Sequence, residues 1–263
     1  IWAWRRGRVE QIARHVARML VLFPFEVDFY RQHGVEVVHV GHPLVDEVPQ
    51  VESVWDRETP GAESPLRLAL LPGSRNSEVE ALLPPMLDAV ERMARKRPVE
   101  ARLILAPSVD RARVDALVRN VGVPLEVVER DRFPAIADSH LALCASGTAT
   151  LEVGLLGTPM IVTYRVGRLT YLLGRLLIRV PHIALVNLVL EERVVPELVQ
   201  GSANGRDLAA AALGLLDDRE RLDWTRQRLA TLRDRLGEGG ASHRAAAEVA
   251  AFLEGDSEPG ETP

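Results

Sequence analysis

Two short stretches carry residue types suited to holding an anion: Leu-Pro-Gly-Ser-Arg at 71–75 and Ser-Gly-Thr at 146–148. Each follows an apolar run and precedes a helical pattern. At the carboxyl edge of an open α/β sheet, a helix N-terminus offers unpaired N–H groups and the positive end of its dipole. Gly73 lets the backbone bend and approach a ligand closely. Ser74 is placed to cap the helix, and Arg75 brings a fork of donors suited to phosphate. Ser146, Gly147 and Thr148 supply the same combination without a fixed charge. Glu152 falls one turn further on, where a carboxylate can accept hydrogen bonds from a vicinal diol such as a ribose. The set describes a nucleoside diphosphate site. Ordinary βα turns also use Gly and Ser, so the pairing of the loops with Arg75 and Glu152 carries the reading. There is no G-x-G-x-x-G and no Walker-type lysine, which disfavours NAD and ATP.

The elements that must position these residues follow from the hydrophobic pattern. Strands are expected near 66–71, 101–106, 125–128, 140–144 and 158–163. Helices are expected near 76–96, 110–121, 131–138 and 147–156. Continuous Val, Leu, Ile and Ala strands imply a parallel sheet covered on both faces, a Rossmann-like unit. Before it, residues 1–46 alternate helix and strand as the end of another α/β domain. Residues 47–65, rich in Pro, Glu, Ser, Thr and Gly, read as a linker. The expected organisation is therefore a remnant domain at 1–46, the linker, a nucleotide-binding domain at 66–217, C-terminal helices at 218–254 and a disordered tail at 255–263. Helices are expected over 219–236 and 241–253, and Leu222, Leu229, Leu232 and Leu236 form an apolar stripe able to pack back on the first domain.

The 263 residues are 47% hydrophobic and 26% charged, an ordinary globular balance. A net charge of −5 leaves no global basic field for nucleic acid. The one cysteine, Cys144, sits in an apolar run and reads as core, with a reducing compartment as the default. No apolar run approaches the roughly 20 residues of a membrane-spanning helix. The chain opens at Ile1-Trp2 in mid-pattern, so its front is expected to be missing.

The order of "WAWR" (2–5), "GHPLVD" (41–46), "LLPGSRNSEVE" (70–80), "ASGTATLE" (145–152), "TPMIVTYR" (158–165) and "LVNLVLEERVVPELVQ" (185–200) resembles the bacterial lipid-A-disaccharide synthases. The resemblance implies a GT-B fold, here with a complete C-terminal Rossmann-like domain and only part of the N-terminal one. It implies an inverting enzyme without metal or cofactor. Such an enzyme moves 2,3-diacylglucosamine from its UDP derivative to 2,3-diacylglucosamine 1-phosphate, giving the β-1,6 disaccharide and UDP. Gly73, Ser74 and Arg75 then match the phosphate loop, Ser146, Gly147 and Thr148 the second loop, and Glu152 the ribose carboxylate. Tyr164 and Arg165 match a pair lining the cleft, and Asn187 an Asn facing the donor. Val186 stands where the family has Pro, and Glu191-Glu192 where Ala-Gly is usual. The general base, an Asp preceding "WAWR", has no counterpart in this chain. The resemblance also implies a cytoplasmic protein at the inner-membrane surface and leaves room for a homodimer.

Several segments keep two readings. Leu169, Leu172, Leu173, Leu176 and Leu177 share one helical face, with Arg168, Arg175 and Arg179 on another. That is either a core helix or a contact for acyl chains and anionic lipid. "WAWRRGR" at 2–8 either packs beneath a domain or sits at a bilayer interface. His42 reads as a hinge or cleft-wall residue. Rival functions are another GT-B UDP-GlcNAc transferase, a 2-epimerase, or a non-catalytic UDP-sugar-binding fragment.

Overall fold

The computed structural model describes residues 8–57, 64–165 and 182–255. The chain forms two compact units, one from residues 1–47 and 233–263, the other from 48–232.

In the first unit, α1 (Val9–His15), β1 (Met19–Val21), α2 (Pro24–Arg31), β2 (Val37–His39) and α3 (Leu44–Glu47) come in order. Strands β1 and β2 pair in parallel, Met19 opposite Val37. Pro24 opens α2 where its missing N–H costs nothing. Val9, Val21, Tyr30, Val35 and Val37 form the apolar core. Arg18 bridges Glu36 and Glu248 of the last helix, at 2.6 and 2.8 Å. The Arg244 Nε donates to the Val40 carbonyl at 2.9 Å. Gly41 holds a left-handed φ of +81°, and a Cβ there would lie 2.6 Å from the Arg244 guanidinium. His42 is buried, its Nδ1 accepting the Leu44 N–H at 3.1 Å beside the Phe23 ring. Burial pushes the imidazole pKa down.

The second unit begins with α4 (Val54–Arg57), β3 (Leu66–Leu71), α5 (Asn76–Ala94), β4 (Val99–Ile104), α6 (Arg111–Val118) and β5 (Leu125–Val128). It continues with α7 (Arg132–Ala137), β6 (Leu141–Ala145), α8 (Ala149–Leu155), β7 (Met160–Tyr164), α9 (Leu185–Leu190) and β8 (Glu197–Val199). Helices α10 (Gly205–Asp217) and α11 (Arg219–Ala230) complete it. Helix α12 (Leu232–Leu236) leads to α13 (Ala241–Gly255) in the first unit. Among the described residues, six parallel strands order as β5-β4-β3-β6-β7-β8. One face buries Leu66, Leu68, Leu70, Leu103, Leu141 and Leu143 under α5 and α10. Helix α8 packs on β6 and β7. Cys144 is fully buried in this sheet and burial pushes its thiol pKa up, so it packs as a core residue.

Three expectations need correction. Residues 48–57 are not a free linker: they belong to the second unit, where Val54 and Trp55 are buried and the Trp55 indole N–H donates to the His140 carbonyl at 2.9 Å. The C-terminal helices do not part from the second unit at 218. Leu222 is in its core, and Leu229 and Leu232 pack over the bare Cα of Gly154, so the division falls at 232/233. The helix expected over 219–236 breaks at Thr231. The stretches 2–7, 168–180 and 256–263, which include most of the Trp-Arg segment and the Leu-Arg face, lie outside the described residues.

Candidate functional site

The chain runs from β3 outward to β4 and β5, then returns through β6 to β7 and β8 on the other side. The reversal falls between β3 and β6, the topological switch point where open α/β sheets bind ligands. Both glycine loops leave the sheet there, one after β3 and one after β6. Leu71 is the register partner of Cys144, and Ala145 of Thr163. Neighbouring strands lie about 4.8 Å apart. The 71–75 loop, the 146–148 loop and the Tyr164-Arg165 end of β7 are therefore consecutive along one edge.

In the first loop, Gly73 has φ +120°, a conformation that favours glycine. The cap of α5 is Arg75 and not Ser74, which corrects the expected role of the serine. Glu78, one turn into α5, reaches back instead. Its Oε2 accepts the N–H groups of Ser74 at 3.0 Å and Arg75 at 3.3 Å. Its Oε1 accepts from the Arg75 guanidinium at 2.8 Å. A Cβ on Gly73 would lie 2.5 Å from Glu78 Oε2, so glycine is what admits the carboxylate. From the β4–α6 connection, the Ser108 hydroxyl donates to the Ser74 carbonyl at 2.6 Å and the Asp110 N–H to Asn76 Oδ1 at 3.0 Å. Arg75 itself is 78% exposed.

In the second loop, Gly147 has φ +153° and open space where a Cβ would stand. The Ser146 hydroxyl donates to the Ile183 carbonyl at 2.9 Å, and Thr148 is exposed at the cap of α8. Glu152 is mostly buried, and its Oε2 accepts from Arg132 Nε at 3.1 Å. Arg132 opens α7 and lies over the Phe133 ring at 4.4 Å.

Tyr164 is half-buried and Arg165 exposed. Arg165 donates weakly, at 3.4 Å, to the Ala81 carbonyl of α5. Pro85 lacks the N–H that would have closed the helix onto that carbonyl, so the two prolines inside α5 leave an acceptor for the arginine. This holds Arg165 against α5, the helix that the first loop opens.

Asn187 stands apart from the expected set. It is fully buried on α9. Its Nδ2 donates to the Val195 carbonyl and to Glu197 Oε1, both at 2.9 Å. Its Oδ1 accepts the Val194 and Val195 N–H groups, both at 3.0 Å. Two donors and two acceptor sites exhaust the amide. Its placement as a group facing the donor is therefore corrected: it is an internal strut. Glu197, which the sequence did not single out, also accepts the Ile183 and Ala184 N–H groups at the start of α9. Arg132 and Glu78 were missed as well. Glu78 has a visible signal, an acidic residue three positions after a helix cap. Arg132 has none, because its pairing with Glu152 is tertiary.

The arrangement offers N–H groups and a guanidinium for a diphosphate and a partly exposed carboxylate for a diol. Among the described residues no helix is long and apolar enough to cross a membrane.

Comparison with known proteins bears on fold and family. In fold, the chain is similar to the S. aureus MnaA structure with UDP, at TM-score 0.62 and 13% identity over 92% of this chain and 62% of that one. It is also similar to the calicheamicin glycosyltransferase CalG4, at TM-score 0.55 and 18% identity over 92% of this chain and 55% of that one. These likenesses show a GT-B type α/β fold. In sequence, it is 42% identical over 256 residues to the lipid-A-disaccharide synthase of Myxococcus xanthus, covering 96% of this chain and 67% of the relative. It is 43% identical over 250 residues to that of Syntrophus aciditrophicus, covering 94% and 65%. The chain thus spans about two thirds of the length of these relatives. The sequence profile described as lipid-A-disaccharide synthetase matches residues 1–251, and with a fold, an ordered set of motifs and relatives that concur, the chain belongs to the lipid-A-disaccharide synthase family.

Proposed function

We propose that the carboxyl edge of the second unit holds the UDP group of UDP-2,3-diacylglucosamine for inverting transfer to 2,3-diacylglucosamine 1-phosphate. The observation that carries the reading is the convergence of Arg75, both glycine loops and Glu152 at the switch point between β3 and β6. Arg75 and the N–H groups of the first loop take the diphosphate. Ser146, Gly147 and Thr148 flank it, and Glu152, oriented by Arg132, takes the ribose diol. Tyr164 and Arg165 border the same edge.

In such a transfer the acceptor hydroxyl attacks the anomeric carbon as the bond to the diphosphate breaks. A base removes the hydroxyl proton, and negative charge grows on the departing UDP. Arg75 and the loop N–H groups supply charge stabilisation at that point, fixed before the reaction begins. No described residue is assigned as the base. An acceptor bearing acyl chains implies work at a membrane surface. The family match at about 40% identity favours this reaction over epimerisation, since the likeness to the solved structures is one of fold alone.

Calorimetric titration with UDP and with uridine tests the reading. Arg75→Ala should weaken UDP at least tenfold and leave uridine unchanged, since a charge-assisted contact to phosphate contributes about 1.5–3 kcal/mol. Glu152→Gln should weaken both ligands. Equal losses of UDP and uridine in Arg75→Ala, or intact uridine binding in Glu152→Gln, would refute the assigned roles.

A further inference from the structure

The groups assigned to the diphosphate already hold an anion. The Glu78 carboxylate takes the Ser74 N–H, the Arg75 N–H and the Arg75 guanidinium in one contact set. We propose that Glu78 is a resident counter-anion of the donor site, which the diphosphate must displace in order to bind and which thereby sets donor affinity. The inference rests on the donor-site reading above.

Three features support displacement over a purely structural cap. First, the competition is direct at the backbone, because the Ser74 and Arg75 N–H groups cannot serve the carboxylate and a phosphate oxygen at full strength together, and the carboxylate also holds one terminal nitrogen of the guanidinium. Second, the loop is fixed without Glu78. Ser108 holds the Ser74 carbonyl and Asp110 holds the Asn76 side chain, so the N–H groups stay aimed when the carboxylate leaves. Third, Glu78 is one-third exposed and its partner Arg75 more so, so both side chains can turn toward water. Gly73 provides the space that the carboxylate now fills. A ligand that must first expel an occupant binds with its intrinsic affinity multiplied by the fraction of molecules in which the cradle is open. Withdrawing the charge of Glu78 raises that fraction and also removes a repulsion from the bound diphosphate.

The test is calorimetric titration of this chain with UDP, and with uridine as the ligand lacking phosphate, in the parent, Glu78→Gln and Glu78→Ala. Thermal unfolding is followed by circular dichroism on the same samples. The expected result is UDP binding about tenfold tighter in Glu78→Gln, uridine unchanged, and a lower unfolding midpoint because the cap is weakened. Higher affinity in a less stable protein is a combination that a structural role alone would not produce. Glu78→Ala, which vacates the space altogether, should show the same pair of changes. If UDP binds both variants no more tightly than the parent while Arg75→Ala still weakens UDP, Glu78 is a cap or an aligner of the guanidinium, and the proposal is wrong. If Arg75→Ala leaves UDP unaffected, or neither the parent nor Glu78→Gln binds UDP, the donor-site reading itself fails and takes this inference with it.

Discussion

Replacing Asn187 by Ala should destabilise the second unit before it does anything specific to ligand. The substitution removes both acceptor sites for the Val194 and Val195 N–H groups and both donors to the Val195 carbonyl and Glu197. A buried donor left unsatisfied costs about 1–3 kcal/mol. Two such donors set a range of about 2–6 kcal/mol, and water entering the vacated space moderates it to roughly 3 kcal/mol. Glu197 retains the Ile183 and Ala184 N–H groups, so its carboxylate is not abandoned. For a unit of this size each kcal/mol lowers the midpoint by about 2–4 °C, which gives a fall of roughly 6–12 °C. The assay is thermal unfolding by circular dichroism, with urea unfolding followed through tryptophan fluorescence. Trp55, buried in the second unit, is one of the reporters there. Asn187→Asp should be worse at neutral pH, because it sets a second carboxylate 2.9 Å from Glu197, and should recover part of the loss as the pH falls and the pair takes up a shared proton. A parent-like midpoint in Asn187→Ala combined with lost UDP binding would refute the strut and restore the residue to the ligand.

Arg132→Ala should weaken uridine and UDP alike, by a factor of about three to ten, because it acts by orienting Glu152; an effect on UDP alone, read by calorimetry, would place Arg132 at the phosphate instead. His42 should make the first unit acid-sensitive. Its folded pKa lies below the ordinary value of 6.5 through burial, so its contribution is complete above about pH 6.5 and is lost as pH falls toward the folded value. Unfolding midpoints between pH 5 and 8 should therefore decline on the acid side in the parent and decline less in His42→Asn; parallel profiles would exclude His42 as the source.

The two loops of the candidate site were legible because a glycine loop between an apolar strand and a helix is a local pattern. Leu66–Leu71 is apolar at every position but Arg67, and its strand matches the expected bounds. Strand β4 begins two residues before its expected start, since Glu100 and Arg102 interrupt the apolar run; Arg102 is tolerated in a covered sheet because it pairs with Asp138 at 2.8 Å. The linker reading failed for a similar reason. Composition at 47–65 signals a loop, but two residues, Val54 and Trp55, decide where its first part goes. The roles of Asn187 and Glu197 were hidden because each is set by partners brought near only by the fold. An Asn on a short apolar helix looks the same in sequence whether it meets a ligand or a carbonyl.

The first unit is assembled from both ends of the chain, and this fixes an order of events during synthesis. Arg18 waits for Glu248, 230 positions later, Val40 for Arg244, 204 positions later, and Asp46 for Gly240, 194 positions later. A ribosome delivering residues one by one releases the whole of 48–232 before α13 emerges. The six-stranded sheet can therefore close while Arg18, Val40 and Asp46 still lack the partners that the last part of the chain supplies. Closing a loop of that length costs entropy that grows only with the logarithm of its length, and the folded sheet shortens the effective loop further. The early segment is thus the last to mature, and a ribosome that stalls near residue 232 leaves a finished sheet and a strand pair whose Arg18, Val40 and Asp46 have not met their distant partners.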